Sequence, residues 1–388
     1  QVKGKKYFEN FGNSVSTAGD VNGDGYSDVI VGAPDYSETA SSHEGAAYAY
    51  FGSSIGLSDS VSWFKTGGSP GDRFGYAVFT AGDVNGDGYS DVVVGAPTDS
   101  SAGNAYVYHG SASGLSGTSE WNVSGSPDAK FGFSVATAGD FNGDGYSDVI
   151  IGAVGISNGQ AFVFSGSSAG LSANSVWSVT SDGSAVALGF SVCTAGDVNG
   201  DGYSDALVCG YSPKAYVYNG SPSGLTSSYN WSYSGLAGSF GWTVAGAGDI
   251  NGDGYSDVII GAPDYYNGSF TVGRFFIFNG SSDGLSSSPS FMKSGSNSGT
   301  TIYRIGRCAA SAGDVNGDGY SDVAVGVSNG VFASYSNGGV EIYYGSASGI
   351  SASPSWSKSS GVSQDEFGSS VATAGDLNGD GYSDIIAG

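Results

Sequence analysis

Asp20-Val21-Asn22-Gly23-Asp24-Gly25-Tyr26-Ser27-Asp28 is a nine-residue stretch that returns six more times along a chain of 388 residues, changed only at its second position. The copies start at Asp83, Asp140, Asp197, Asp249, Asp314 and Asp376, at spacings of 63, 57, 57, 52, 65 and 62 residues. A period in this range belongs to stacked or circular arrays, whose units bury their apolar faces against one another.

Each unit reads in the same order. A strand such as Phe11–Ala18 leads into the acidic loop, and the apolar run Val29–Pro34 leaves it. A variable loop, an alternating aromatic strand (Ala105–Tyr108), a turn (Gly110–Leu115) and a strand carrying Trp121 complete the unit. Four short strands with period-two alternation form a propeller blade. Ser134, Ala136 and Ala138 on the first strand of the third unit suit the crowded axis, and the aromatics of third and fourth strands suit the widening rim. The sequence predicts an all-β chain: a seven-bladed β-propeller of four-stranded antiparallel blades, the seventh blade incomplete. It forms a single domain over 1–388, with repeats at about 11–67, 74–125, 131–180, 188–235, 240–295, 305–360 and 367–388. Residues 1–10 are expected to contribute to the closing blade.

Composition agrees. The 69 Gly and 9 Pro follow no collagen period, and 25 Tyr, 20 Phe and 6 Trp supply a core that a disordered chain lacks. The formal charge is −24, with 30 Asp against 6 Glu, and 21 of the Asp lie in the seven loops. Seven divalent ions would bring −24 to −10, so the acidity is largely counter-charge for metal. Eight Lys and four Arg form no basic stripe, which argues against nucleic acid. No apolar run reaches the length of a membrane span, and no membrane insertion is expected. The start at Gln1 reads as a processed or trimmed end.

The Phe74-Gly75 pair before a loop and Gly95-Ala96-Pro97 after it resemble the FG-GAP repeat of integrin α-subunit propellers and many secreted bacterial proteins. Departures are local. Leu188 and Ile305 replace the Phe, and Gly152-Ala153-Val154, Cys209-Gly210-Tyr211 and Gly326-Val327-Ser328 replace the later motif. The resemblance implies an extracellular, non-catalytic recognition module.

Alternating oxygen donors on a glycine-kinked loop suit Ca²⁺, a hard ion that takes six to eight oxygens in flexible geometry. The first loop offers Asp20, Asn22, Asp24, the Tyr26 carbonyl and Asp28, the last with one or both oxygens. The second and third offer Asp83, Asn85, Asp87, Tyr89 and Asp91, then Asp140, Asn142, Asp144, Tyr146 and Asp148. The fourth and fifth offer Asp197, Asn199, Asp201, Tyr203 and Asp205, then Asp249, Asn251, Asp253, Tyr255 and Asp257. The last two offer Asp314, Asn316, Asp318, Tyr320 and Asp322, then Asp376, Asn378, Asp380, Tyr382 and Asp384. Up to seven Ca²⁺ are expected. Near-identical sites in every repeat read as supports that rigidify the hairpins rather than as seven ligand sites.

A ligand is expected on the opposite face, at the 2–3 loops, which carry Tyr36, Tyr265, Tyr266, Phe270, Phe332 and Tyr335. Integrin-like propellers use that face; the alternative is that these aromatics pack onto their own loops. Only His43 and His109 are present, and no acid pair outside the loops is placed for catalysis, so no enzyme activity is expected. Cys193 and Cys209 flank one loop at four residues on each side; a simple hairpin would set them opposite one another, as a disulfide or as two small buried residues. Sequons at Asn122, Asn219, Asn230, Asn267 and Asn279 matter only in a eukaryotic source. The seventh unit stops at Gly388 after its second strand, so either the chain continues or another chain donates the missing strand.

The leading expectation is a secreted or cell-surface calcium-binding adhesion module whose partner is an extracellular protein or glycan. Its rivals are a structural subunit of an extracellular filament or layer, assembled from copies of itself, and an accessory propeller of a secreted enzyme or lectin.

Overall fold

A computed structural model describes the chain apart from residues 1, 6–8, 40–41, 184, 212, 236–237, 297–302, 330–337 and 361–365. Blade one shows the pattern. Ser14–Gly19, Asp28–Ala33, Ala46–Tyr50 and Trp63–Thr66 pair in chain order, each antiparallel to the next. The second and third strands are buried along their whole length, because both faces of a central strand meet neighbouring blades. The first strand alternates, and its small side chains line the axis.

Five further sheets repeat this order, which makes six four-stranded antiparallel blades. The expected count of seven blades is corrected to six. The seventh repeat supplies only a two-stranded sheet, Val371–Gly375 paired with Asp384–Ala387. Seven acidic loops count inner hairpins, and a hairpin is only half a blade. This last hairpin sits between blade six and blade one: Val371 N–H donates to Cys308 Sγ at 3.1 Å, and Ser370 Oγ donates to the Gly12 carbonyl at 2.6 Å. The described part of residues 1–10 adds no strand to it. Instead, the Lys3 carbonyl accepts the Tyr50 hydroxyl at 3.0 Å and Glu9 accepts that of Tyr48 at 2.7 Å, along blade one.

Aromatics knit the blades. Phe74 is buried against Tyr106 of its own blade, with ring centroids 5.5 Å apart. Its backbone bridges back to Gly45 of the preceding blade. Leu188 and Ile305, which replace Phe in two repeats, are buried in the same bridging position. On the outer strands, Trp63 lies edge-on to Tyr108 of the next blade at 5.0 Å and donates its indole N–H to the Ser116 carbonyl at 2.8 Å. Trp121, Trp177 and Trp231 repeat the bond.

Every inner hairpin carries a β-bulge just before its acidic loop. In blade one the register steps from Thr17↔Val29 to Gly19↔Asp28, leaving Ala18 unpaired. The bulge also decides the cysteines. With the asymmetric closure of the loop at Gly196↔Asp205, it displaces the fourth hairpin by two residues from a symmetric register, so Cys193 lies opposite Leu207 and Cys209 opposite Ser191. A diagonal pair of this kind is too far apart for a disulfide, and both thiols are free and buried. Of the two arrangements the sequence left open, the structure has two small buried residues and no bridge. Among the described residues the only helical element is the short turn Asp99–Ser101, and no helix is long and apolar enough to cross a membrane.

Candidate metal-binding loops

Each acidic loop is a nest of amides closed around its first carboxylate. Asp20 Oδ1 accepts the N–H groups of Gly23 (2.7 Å) and Asp24 (3.1 Å), and Oδ2 accepts that of Gly25 (2.8 Å). Asn22 Oδ1 accepts Asp24 N–H and Asp24 Oδ1 accepts Tyr26 N–H, at 2.9 and 3.0 Å. The same pattern recurs in the other six loops. Around Asp376 the amides of Gly381, Gly379, Asp380 and Asn378 hold the carboxyl below the usual carboxylate range. Asp314 is lowered too: burial opposes the shift, and the loop amides outweigh it.

The ninth position behaves differently. Asp28 is fully buried, and its oxygens accept Val21 N–H at 3.0 Å and Gly52 N–H at 2.9 Å. It thus ties the acidic loop to the turn between the third and fourth strands, and both connections lie on one face of the disc. Asp91, Asp148, Asp205, Asp257 and Asp322 tie their loops in the same way. Burial raises the carboxyls of Asp28, Asp148, Asp205 and Asp257 to about 7 and that of Asp91 to about 6, against the pull of the two amides.

Positions seven and eight join each loop to the one before it. Ser90 N–H donates to the Asp20 carbonyl at 3.0 Å, and the Tyr89 ring lies where a side chain on Gly23 would be, 2.6 Å from an added Cβ. The bond runs from Ser147 to Asp83, Ser204 to Asp140, Ser256 to Asp197, Ser321 to Asp249 and Ser383 to Asp314. It closes from Ser27 to Asp376. The seven loops therefore form one continuous ring. Sequence reasoning gave the tyrosine only a carbonyl role, but a carbonyl donor needs no particular side chain. The presence of Tyr-Ser in all seven loops was the signal for side-chain packing.

The donor set is all oxygen: carboxylates, an amide oxygen and a backbone carbonyl, which is the chemistry a hard cation takes. Carboxylate oxygens that accept one N–H keep a second lone pair. As placed, no three His, Cys, Asp or Glu side chains among the described residues converge on one point. The loop carboxylates point to amides.

The residues expected at a recognition face divide. Tyr36 is buried edge-on to Phe64 at 5.5 Å, and Tyr265 lies beneath the Arg274 guanidinium at 3.7 Å, so both pack onto their own blades. Tyr266 and Phe270 are 57 % and 45 % exposed. Phe332 and Tyr335 lie outside the described residues.

Fold and loops together define a β-propeller whose inner hairpins present a ring of oxygen-rich turns. The chain belongs to the FG-GAP repeat proteins: the FG-GAP repeat model matches residues 11–50 and 240–273, and the FG-GAP-like repeat model matches 83–151 and 314–387. It is 36 % identical to human integrin alpha-6 over 151 residues, 39 % of this chain and 13 % of that protein. It is 35 % identical to Drosophila melanogaster integrin alpha-PS2 over 178 residues, 42 % of this chain and 12 % of that protein. The chain thus corresponds to a small part of these relatives. The crystal structure of Saccharomyces cerevisiae Sqt1 superposes with a TM-score of 0.53 at 10 % identity, over 100 % of this chain and 87 % of that one, a likeness of fold alone.

Proposed function

We propose that this chain is a calcium-dependent recognition or adhesion propeller of the extracellular space, with no catalytic chemistry of its own. The observation that carries the reading is the closed ring of seven oxygen-donor loops, six of them tied into the core by a buried aspartate. Asp20, Asn22, Asp24, the Tyr26 carbonyl and Asp28, with their counterparts, would hold up to seven Ca²⁺. The ion would supply the positive charge that three carboxylates per loop call for, and extracellular fluid keeps calcium high enough to fill such sites.

The similarity to integrin α-subunits supports a surface or secreted location and a protein or glycan partner. The histidines support a non-catalytic reading: His43 stands 3.8 Å from Asp35, and His109 Nδ1 is 3.3 Å from the Asn85 amide, each beside a structural neighbour. The test is capture of matrix proteins and glycans by the immobilised chain in calcium and in EDTA. Calcium-dependent capture is the expected result, and equal capture in both buffers would overturn the dependence. Size-exclusion chromatography in the same buffers checks the rival reading, because calcium-dependent polymers would favour a filament subunit.

A further inference from the structure

The residue that follows each Phe-Gly pair stands at the axial end of an inner strand, on the face away from the acidic loops. In repeats two to five it is Tyr76, Phe133, Phe190 and Trp242. Their rings form one unbroken arc, with successive centroids 5.1 Å apart and interplanar angles of 44–55°. Tyr211, 46 % exposed, extends the arc outward, 5.5 Å from Phe190 and 5.8 Å from Trp242. The other half of the circle is polar: Asn13, Arg307 and Ser369. The arc opens onto an axial cavity of about 350 Å³, lined by Phe133, Trp242 and Arg307 and narrowed by Phe79 from the second inner strand.

From this mouth we infer a binding site for a neutral pyranose, the terminal unit of a glycan; the inference rests on the recognition reading above and names its ligand class and its place. Three observations select the class. The cavity volume suits one ring-sized unit, at the small end of ligand pockets. One side is a wall of aromatic faces and edges, which matches the apolar C–H face of a sugar ring. The other side holds an ion pair closed on itself, Arg307 Nη1 to Glu366 Oε2 at 3.3 Å, with side chains 38 % and 66 % exposed. That pair offers no net charge to a charged ligand, yet it presents N–H donors and carboxylate acceptors side by side. Hydroxyl groups, which donate and accept at once, answer such a pair. Deeper in the channel, Ser134 Oγ donates to the Gly189 carbonyl at 2.7 Å and Ser370 Oγ to that of Gly12 at 2.6 Å, whereas the buried Ser16 Oγ has no partner. Specificity therefore falls mainly to the rim.

The test titrates the intact chain in calcium with methyl glycosides of glucose, galactose, mannose and N-acetylglucosamine, read by tryptophan fluorescence and saturation-transfer NMR. Acetylarginine amide is the cationic control and mannitol the acyclic one. At least one glycoside is expected to bind with millimolar affinity. Trp242→Ala or Phe190→Ala should weaken it about tenfold or more, and Arg307→Ala by a smaller factor, with unfolding midpoints close to that of the parent chain. Binding of the arginine amide alone, equal binding of mannitol, or loss of binding in Tyr266→Ala rather than Trp242→Ala would each overturn the site. No glycoside binding alongside calcium-dependent capture of a protein would sink this inference and leave the recognition reading standing.

Discussion

Replacing Asp148 separates two roles that the loop motif assigns to one carboxylate. Asp148 Oδ2 accepts Phe141 N–H at 3.1 Å and Oδ1 accepts Gly166 N–H at 2.8 Å, and the side chain is fully buried. Asp148→Ala leaves two buried amides without partners, each costing about 1–3 kcal/mol, so the expected loss is roughly 2–6 kcal/mol. Asp148→Asn keeps one acceptor and turns an NH₂ group toward an N–H, which costs about half as much. Asp144, exposed on the same loop, is the comparison, because its side chain accepts only from Tyr146 within the turn and from the Asn142 amide. Chemical denaturation in EDTA and in calcium is the assay. Asp148→Ala should destabilise in both buffers, and more in calcium if the carboxylate is also a ligand. Asp144→Ala should lower stability mainly in calcium. An Asp148→Ala variant with parental stability in EDTA would refute the tie between loop and turn.

Gly143→Ala tests the ring of loops. Gly143 has φ 73°, and an added Cβ would meet the Tyr203 ring at 2.6 Å. The left-handed backbone alone costs about 1–2 kcal/mol and the displaced ring adds to it, so the unfolding midpoint should fall, whereas Gly145→Ala, with φ 87° and open space around its Cβ, should show only the backbone part. Cys193 and Cys209 should resist a thiol reagent in the native chain and react after denaturation, and a reductant should leave the melting curve unchanged; a midpoint that falls in reductant would restore the disulfide. In EDTA, stability should decline as pH rises from about 4 toward 7. Buried Asp28, Asp148, Asp205 and Asp257 have pKa values raised from 3.8 to about 7, so the folded state holds more protons across that window. Their contribution is full below 3.8 and lost as pH passes 7. A cation that binds the ionised form should flatten this slope, and a profile that rises with pH in EDTA would contradict the assignment.

Much of the fold was legible because one short motif recurs. Seven copies of Asp-x-Asn-Gly-Asp-Gly-Tyr-Ser-Asp fix the period, and the small inner-strand residues and outer tryptophans place the axis and rim. Counting loops nevertheless overstated the blades, because Val371–Gly375 and Asp384–Ala387 form a hairpin without third and fourth strands. The cysteine geometry was lost to an asymmetric loop closure and a single bulged residue, which together move every pair beyond them by two positions and leave no mark in residue spacing. Tyr36 and Tyr265 were left ambiguous for another reason. A loop aromatic that folds back on its own blade and one that faces solvent have the same local sequence, and only the Phe64 ring and the Arg274 guanidinium distinguish them. The aromatic arc at Tyr76, Phe133, Phe190 and Trp242 was visible in principle, since one repeat position is aromatic in four successive units. Its meaning needed the closure of the ring, which brings those four side chains into contact across blades.

Calcium occupancy of the seven loops is the central claim. Metal content after dialysis against calcium, with the unfolding midpoint recorded in calcium and in EDTA, tests this most directly. Several Ca²⁺ per chain and a midpoint that falls sharply on chelation are the predicted result. A chain that retains no calcium and melts at the same temperature in both buffers would contradict it.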